Sequence, residues 1–205
     1  MGQQFSVIYP GIYDHVTGKL QKGLSPRLTY HGIHHTLDVL KQVQRIAVRE
    51  KLVDEESLFL LKVAALYHDS GFLFIYLGHE AKGCEIVKEE LPGFGLTNPQ
   101  IDKICGMIMA TKIPQSPMNK MEEIICDADL DYLGRNDFEK ISNSLYKEFL
   151  EYGIVKDHDQ WMRLQVKFFE SHHYFTKSTQ KLRNPKKMAR LEKLKSHNLP
   201  EPDEK

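Results

Sequence analysis

His31 and His35 stand four residues apart in an apolar periodic stretch, so a helix there brings both imidazoles to one face. His34 points about 100° away from them. His68-Asp69 closes the strongly apolar run Leu58 to Tyr67. A carboxylate beside an imidazole is costly at the edge of a core unless something pairs with it. Asp127-Ala128-Asp129 follows Ile124-Ile125-Cys126 and again sets acids at a core edge. Each signal alone is weak: an HD dipeptide arises by chance, and the DAD triplet also reads as a helix cap. His158-Asp159, preceded by Lys156-Asp157, reads as a solvated helix start. Together, the three places supply imidazole and carboxylate donors from three separate helices. That chemistry suits a divalent transition metal with open coordination positions.

The elements that must position these groups are helical, because 3.6-residue periodicity dominates and strand alternation is nearly absent. Ile12, Val16, Leu20 and Leu24 predict a short first helix. Ile33, Leu37, Leu40, Val43, Ile46 and Ala47 line a second over about 30–50. Asp54 is the expected N-cap of a third, ending at Ser70-Gly71. Helices are expected over about 79–90, from Asn98-Pro99 toward Thr111, and over about 121–133. Residues 112–120, with two prolines, read as a loop. Asn136 and Glu139 resemble a capping box for the next helix, and two more are expected over about 158–174 and 184–196. Without repeats or linkers, the prediction is an all-α, single-domain bundle with a frayed tail at 198–205.

The 205 residues suffice for one sizeable core, and 41% hydrophobic with 27% charged residues excludes general disorder. Twenty-eight Lys and Arg balance 28 Asp and Glu, which gives no overall pull toward nucleic acid or an anionic membrane. No apolar run reaches the roughly 20 residues of a membrane span. Cys84, Cys105 and Cys126, an odd number, read as buried thiols, and with no secretory pattern at the start a cytoplasmic setting is expected. P-loop, H-E-x2-H and G-x-S-x-G patterns are absent. The basic run Arg183 to Arg190 reads as a solvated helix face. The aromatics Trp161, Phe168, Phe169, Tyr174 and Phe175 are either core or the wall of a pocket.

Tyr30-His31-x3-His35-Thr36, Ala64-Ala65-Leu66-Tyr67-His68-Asp69 and Asp127-Ala128-Asp129-Leu130 resemble, in order, the motifs of the HD-domain superfamily of metal-dependent, all-helical phosphohydrolases. With His79-Glu80 after the HD helix, the likeness is closer to small predicted bacterial HD hydrolases and spans about 12–150, leaving later helices to pack on that core. The resemblance implies His35, His68, Asp69 and Asp129 as ligands of one divalent ion (Mn, Fe, Co, Ni, Zn or Mg), with Asp127 in reserve for Asp129. It implies for His31 either protonation of a leaving oxygen or orientation of His35. Glu80 would position water, and His79 would bind phosphate or a second ion, unless the pair is only an exposed helix start. Lys112 and Arg135 would neutralise substrate phosphate or remain surface charges. Ser70-Gly71 replaces the acidic pair of guanosine-tetraphosphate hydrolases, and the fifth helix lacks the paired histidines of dinuclear members. The expected reaction is hydrolysis of a phosphomonoester or phosphodiester of a nucleotide or other small metabolite. A non-catalytic nucleotide-sensing module and a di-iron oxygenase are the alternatives.

Overall fold

The computed structural model describes residues 2–197, and all regular structure among them is helical. In chain order come α1 (Gly2–Gly23), α2 (Ile33–Arg49), α3 (Glu55–Tyr67), α4 (His79–Glu90), α5 (Asn98–Ala110), α6 (Lys120–Asp129), α7 (Phe138–Glu151), α8 (His158–Ser171) and α9 (Lys177–His197). Short 3-10 turns follow α3, α4 and α6. The expected tail, 198–205, lies outside the described residues. No helix among the described residues is long and apolar enough to cross a membrane.

α3 is the axis of the bundle. From Phe59 to Tyr67 every residue except Lys62 is buried, so this helix must be covered on all sides. α1, α2, α5 and α6 cover it, with Ile12, Val16, Val43, Ile46, Ile104, Ile108, Ile124 and Ile125 in one continuous core. Asp54 caps α3 as expected, its carboxylate accepting from Ser57 N–H at 2.7 Å. A second cluster, Tyr30, Tyr132, Leu133, Phe138, Phe169, Tyr174 and Leu191, seats α7 to α9 beside the first. The three cysteines are buried and free.

Several boundaries move for physical reasons. α1 begins at Gly2 rather than near Ile12, because Phe5 stacks on Phe59 at 4.6 Å and lengthens the apolar stripe. α2 begins at Ile33, leaving Tyr30 and His31 in the preceding turn, where their N–H groups donate to Glu148. α6 stops at Asp129 and tightens into a 3-10 turn over Asp131–Gly134, so it does not reach Leu133 as a helix. The Asn136–Glu139 capping box does not form: Asn136 accepts from Lys186 at 2.5 Å, and α7 starts after Asp137. α8 ends at Ser171, and α9 starts at Lys177 with Thr176 Oγ1 accepting from Thr179 N–H.

Candidate metal centre and the chamber beside it

The end of α3 builds the centre of the site. Its last carbonyls lack helical partners and take side-chain donors from their own motif. His68 Nδ1–H donates to Ala65 O at 2.9 Å, and Ser70 Oγ–H donates to Tyr67 O at 2.7 Å. The first bond fixes the His68 ring and leaves the Nε2 lone pair facing inward. Gly71 then lets the 3-10 turn press on α4: a Cβ there would lie 1.9 Å from the His79 carbonyl oxygen.

Four donor atoms, from α2, from the turn that closes α3 and from the end of α6, converge at this point. His35 Nε2 lies 3.0 Å from Asp129 Oδ1, 3.4 Å from His68 Nε2 and 3.5 Å from Asp69 Oδ2. His68 Nε2 lies 3.2 Å from Asp69 Oδ2 and 3.8 Å from Asp129 Oδ1. Donors bound at about 2.1 Å to one ion stand about 3.0–3.4 Å apart, and these separations of 3.0–3.8 Å come within a few tenths of an ångström of closing on a single divalent cation. Asp69 Oδ2 is buried and makes no well-formed hydrogen bond despite its near neighbours. Inward lone pairs on both carboxylates and on His68 require positive charge among them. The electrostatics agree. Burial alone would push the His68 imidazole down, but Asp69 and Asp129 outweigh it and hold it up at about 9. Burial would likewise raise Asp69, but His68 and His79 hold it well below the usual carboxylate range. Among the described residues His35, His68 and Asp129 form a group able to hold a metal ion, and Asp69 adds the unpartnered oxygen.

Asp127 faces the other way. It is fully buried and accepts from Phe175 N–H and Thr176 N–H, each at 2.8 Å, and from Thr176 Oγ1–H at 2.6 Å. Its carboxylate ties α6 to the start of α9. Burial raises it to about 6 against those donors.

His31, His79 and Glu80 rim the centre. His79 Nδ1–H donates to Tyr76 O at 3.1 Å, and Nε2 stands 3.4 Å from Asp69 Oδ1 and 3.7 Å from Glu80 Oε1. Glu80 is buried, so the pair is not an exposed helix start. The rings of His31 and His79 both lie against Phe72, at 4.3 and 3.9 Å. His31 Nδ1 is hydrogen-bonded to Glu148 Oε1, and Glu148 also accepts from Tyr30 N–H at 2.7 Å, His31 N–H at 3.0 Å and Tyr76 O–H at 2.9 Å. Burial would raise Glu148, but the contacts with His31 and the two N–H groups keep it below its ordinary value. Glu148 follows His31 by 117 residues, and no local pattern in the sequence singles it out.

The two expected phosphate ligands lie elsewhere. Lys112 is exposed and lines a neighbouring groove with Pro114 and Met118; Thr111 lines the main cavity, and Ile113 lies between the two and lines both. Arg135 is held by Asp38 at 2.5 Å and by Asp137 at 2.6 Å, so its charge is already neutralised.

A cavity of about 290 Å³ opens from the donor cluster. Asp69, Asp129, His31, His79 and Glu80 form one end, and Leu145, Phe149, Trp161, Leu164, Phe168 and Phe169 of α7 and α8 the other. Of the C-terminal aromatics, Trp161, Phe168 and Phe169 are therefore pocket wall, Phe169 being core as well, whereas Tyr174 is core alone.

Fold and site together define an all-helical protein with a buried two-histidine, two-aspartate centre suited to a divalent ion. The HD-domain family model matches residues 32–131, the stretch running from the turn before α2 to the end of α6. This stretch is therefore an HD domain, of a superfamily whose members are mostly metal-dependent hydrolases. No curated protein and no solved structure matches it.

Proposed function

We propose that this chain is a metal-dependent phosphohydrolase acting on a phosphomonoester or phosphodiester of a small metabolite, with His35, His68, Asp69 and Asp129 holding one divalent ion. The observation that carries this reading is the convergence of those donors around the unpartnered Asp69 Oδ2. A divalent ion there supplies an acidified water and a polarised phosphoryl oxygen.

The chain's own residues do the rest. Glu148 accepts the Nδ1 proton of His31, which leaves Nε2 toward the cavity and compensates an imidazolium charge. His31 then protonates the leaving oxygen. Glu80, buried at the rim, orients the attacking water, and His79, its Nδ1 fixed on Tyr76 O, holds a phosphate oxygen. A reducing, cytoplasmic setting belongs to the same reading, supported by three buried thiols.

The test is hydrolysis of p-nitrophenyl phosphate and its bis-ester with Mn, Fe, Co, Ni, Zn or Mg supplied in turn. Metal-dependent release of nitrophenol that His31→Gln cuts by about 100-fold supports the assignment. Absence of turnover with every metal, on protein shown to bind the ion, rejects it in favour of a ligand-sensing module.

A further inference from the structure

The cavity beside the donor cluster is lined by groups of two kinds, and the division carries a substrate class. The acids and imidazoles all sit at one end. Beyond them, α7 and α8 contribute Leu145, Phe149, Trp161, Leu164 and Phe168, and the 3-10 turn after α6 adds Leu133. Polar groups on this side are few: Thr111, Ser142, the Gln165 amide, the hydroxyls of Tyr30 and Tyr132, which bond to each other, and the indole N–H of Trp161. Thr111 Oγ1–H donates to Ile108 O at 2.7 Å, and Ser142 Oγ–H donates to Gln165 Oε1 at 2.9 Å. No lysine or arginine is among the described residues that line the cavity.

A nucleotide would fit poorly here. Its sugar hydroxyls and base edges would leave water for a mostly apolar wall with few donors or acceptors to meet them, and each unmade hydrogen bond counts against binding. A second or third phosphate would meet Asp69, Glu80 and Asp129 with no lysine or arginine to offset them. A hydrocarbon body has neither difficulty. A dry cavity of about 150 Å³ accepts a benzene ring, so 290 Å³ accommodates about ten carbon atoms in all.

We infer that the substrate is a monophosphate ester of a medium-length alkyl or aryl group, with its phosphate at the donor cluster and its hydrocarbon body between α7 and α8. The position of the phosphate rests on the phosphohydrolase reading. The hydrocarbon preference rests on the chamber alone.

The experiment keeps the two apart. Trp161 is the chain's single tryptophan and lines the chamber, so its fluorescence reports occupancy without any turnover. The full chain, with and without Mn, is titrated with methyl-, butyl- and octylphosphonate and with thymidine 5′-monophosphate, and the corresponding alkyl phosphates are assayed for hydrolysis. Affinity and kcat/KM are expected to rise about fourfold per methylene and then level off once the chamber is full. Leu164→Glu, a change at a partly exposed lining position that folding tolerates, flattens this dependence, whereas the surface variant Val53→Glu retains it. Chain-length-dependent binding without hydrolysis at full metal loading upholds the chamber and overturns the phosphohydrolase reading. Binding without chain-length dependence, or thymidine monophosphate hydrolysed as well as octyl phosphate, overturns the chamber inference and leaves the phosphohydrolase standing.

Discussion

Glu148 of α7 holds His31 by its Nδ1 atom while taking the His31 backbone N–H at 3.0 Å, so one buried carboxylate fixes both ring and chain of a residue outside any helix. Glu148→Gln keeps the shape and removes the charge. It is expected to reduce kcat by about 10- to 100-fold with little change in helical content, as outer carboxylates that orient an imidazole do. Steady-state kinetics beside circular dichroism check this, and an unchanged kcat would remove Glu148 from the machinery.

Gly71 and His79 touch backbone to backbone. With the added Cβ 1.9 Å from the His79 carbonyl oxygen, Gly71→Ala must displace the start of α4 and with it His79 and Glu80. The expected cost is about 1–3 kcal/mol of stability and a disproportionate loss of kcat, because small misplacements of catalytic groups cost rate steeply. Urea melts and turnover on the same preparation separate the two effects. Equal stability and rate to the parent would contradict the packing described.

Lys112 and Arg135 were expected to meet phosphate, and their surroundings predict otherwise. Lys112→Ala should change KM by no more than about twofold, because its exposed ammonium stands in a different groove. Arg135→Gln should also leave KM nearly unchanged but cost about 1–3 kcal/mol, since Asp38 loses a partly buried partner. A tenfold rise in KM in either variant would return that residue to the substrate site.

His172 gives a pH dependence away from the donor cluster. Burial first, then Lys187 and His173, lowers its imidazole to about 3, and neither ring nitrogen has a hydrogen-bond partner. The folded state keeps it neutral while the unfolded chain protonates below about pH 6.5. Its contribution is therefore intact above pH 6.5 and declines as pH falls toward 3, with about 2 kcal/mol lost at pH 5. His172→Leu should remove that share, so that the gap between parent and variant in urea narrows or reverses between pH 7 and pH 5. Parallel curves would show that His172 titrates normally in the fold.

Much of this architecture was legible because it obeys one period. α3 is apolar all round and had to be central, and His68-Asp69 at its end had to be placed at the core's edge. Motif order brought His35, His68, Asp69 and Asp129 into one group, and the structure brings the same four side chains together. What was not legible depends on distant partners. Arg135 reads as a phosphate ligand or a surface charge while Asp38, 97 residues before it, is out of view, and nothing near Glu148 points to Tyr30 and His31, more than a hundred residues before it. The helical start at Gly2 was hidden by glycine and proline, whose local cost is overcome by packing on Phe59. The chamber was invisible for the same reason: aromatic residues at helical spacing look alike whether they face a core or a cavity.

The central claim is that His35, His68, Asp69 and Asp129 hold one divalent ion. Elemental analysis of untagged protein purified without chelator, with Mn or Ni supplied if needed, tests it beside Asp69→Ala. About one ion per parent chain and a near-empty variant, with hydrolysis lost in step, is the predicted result. Equal metal in both proteins, or turnover retained by Asp69→Ala at full loading, would contradict the account.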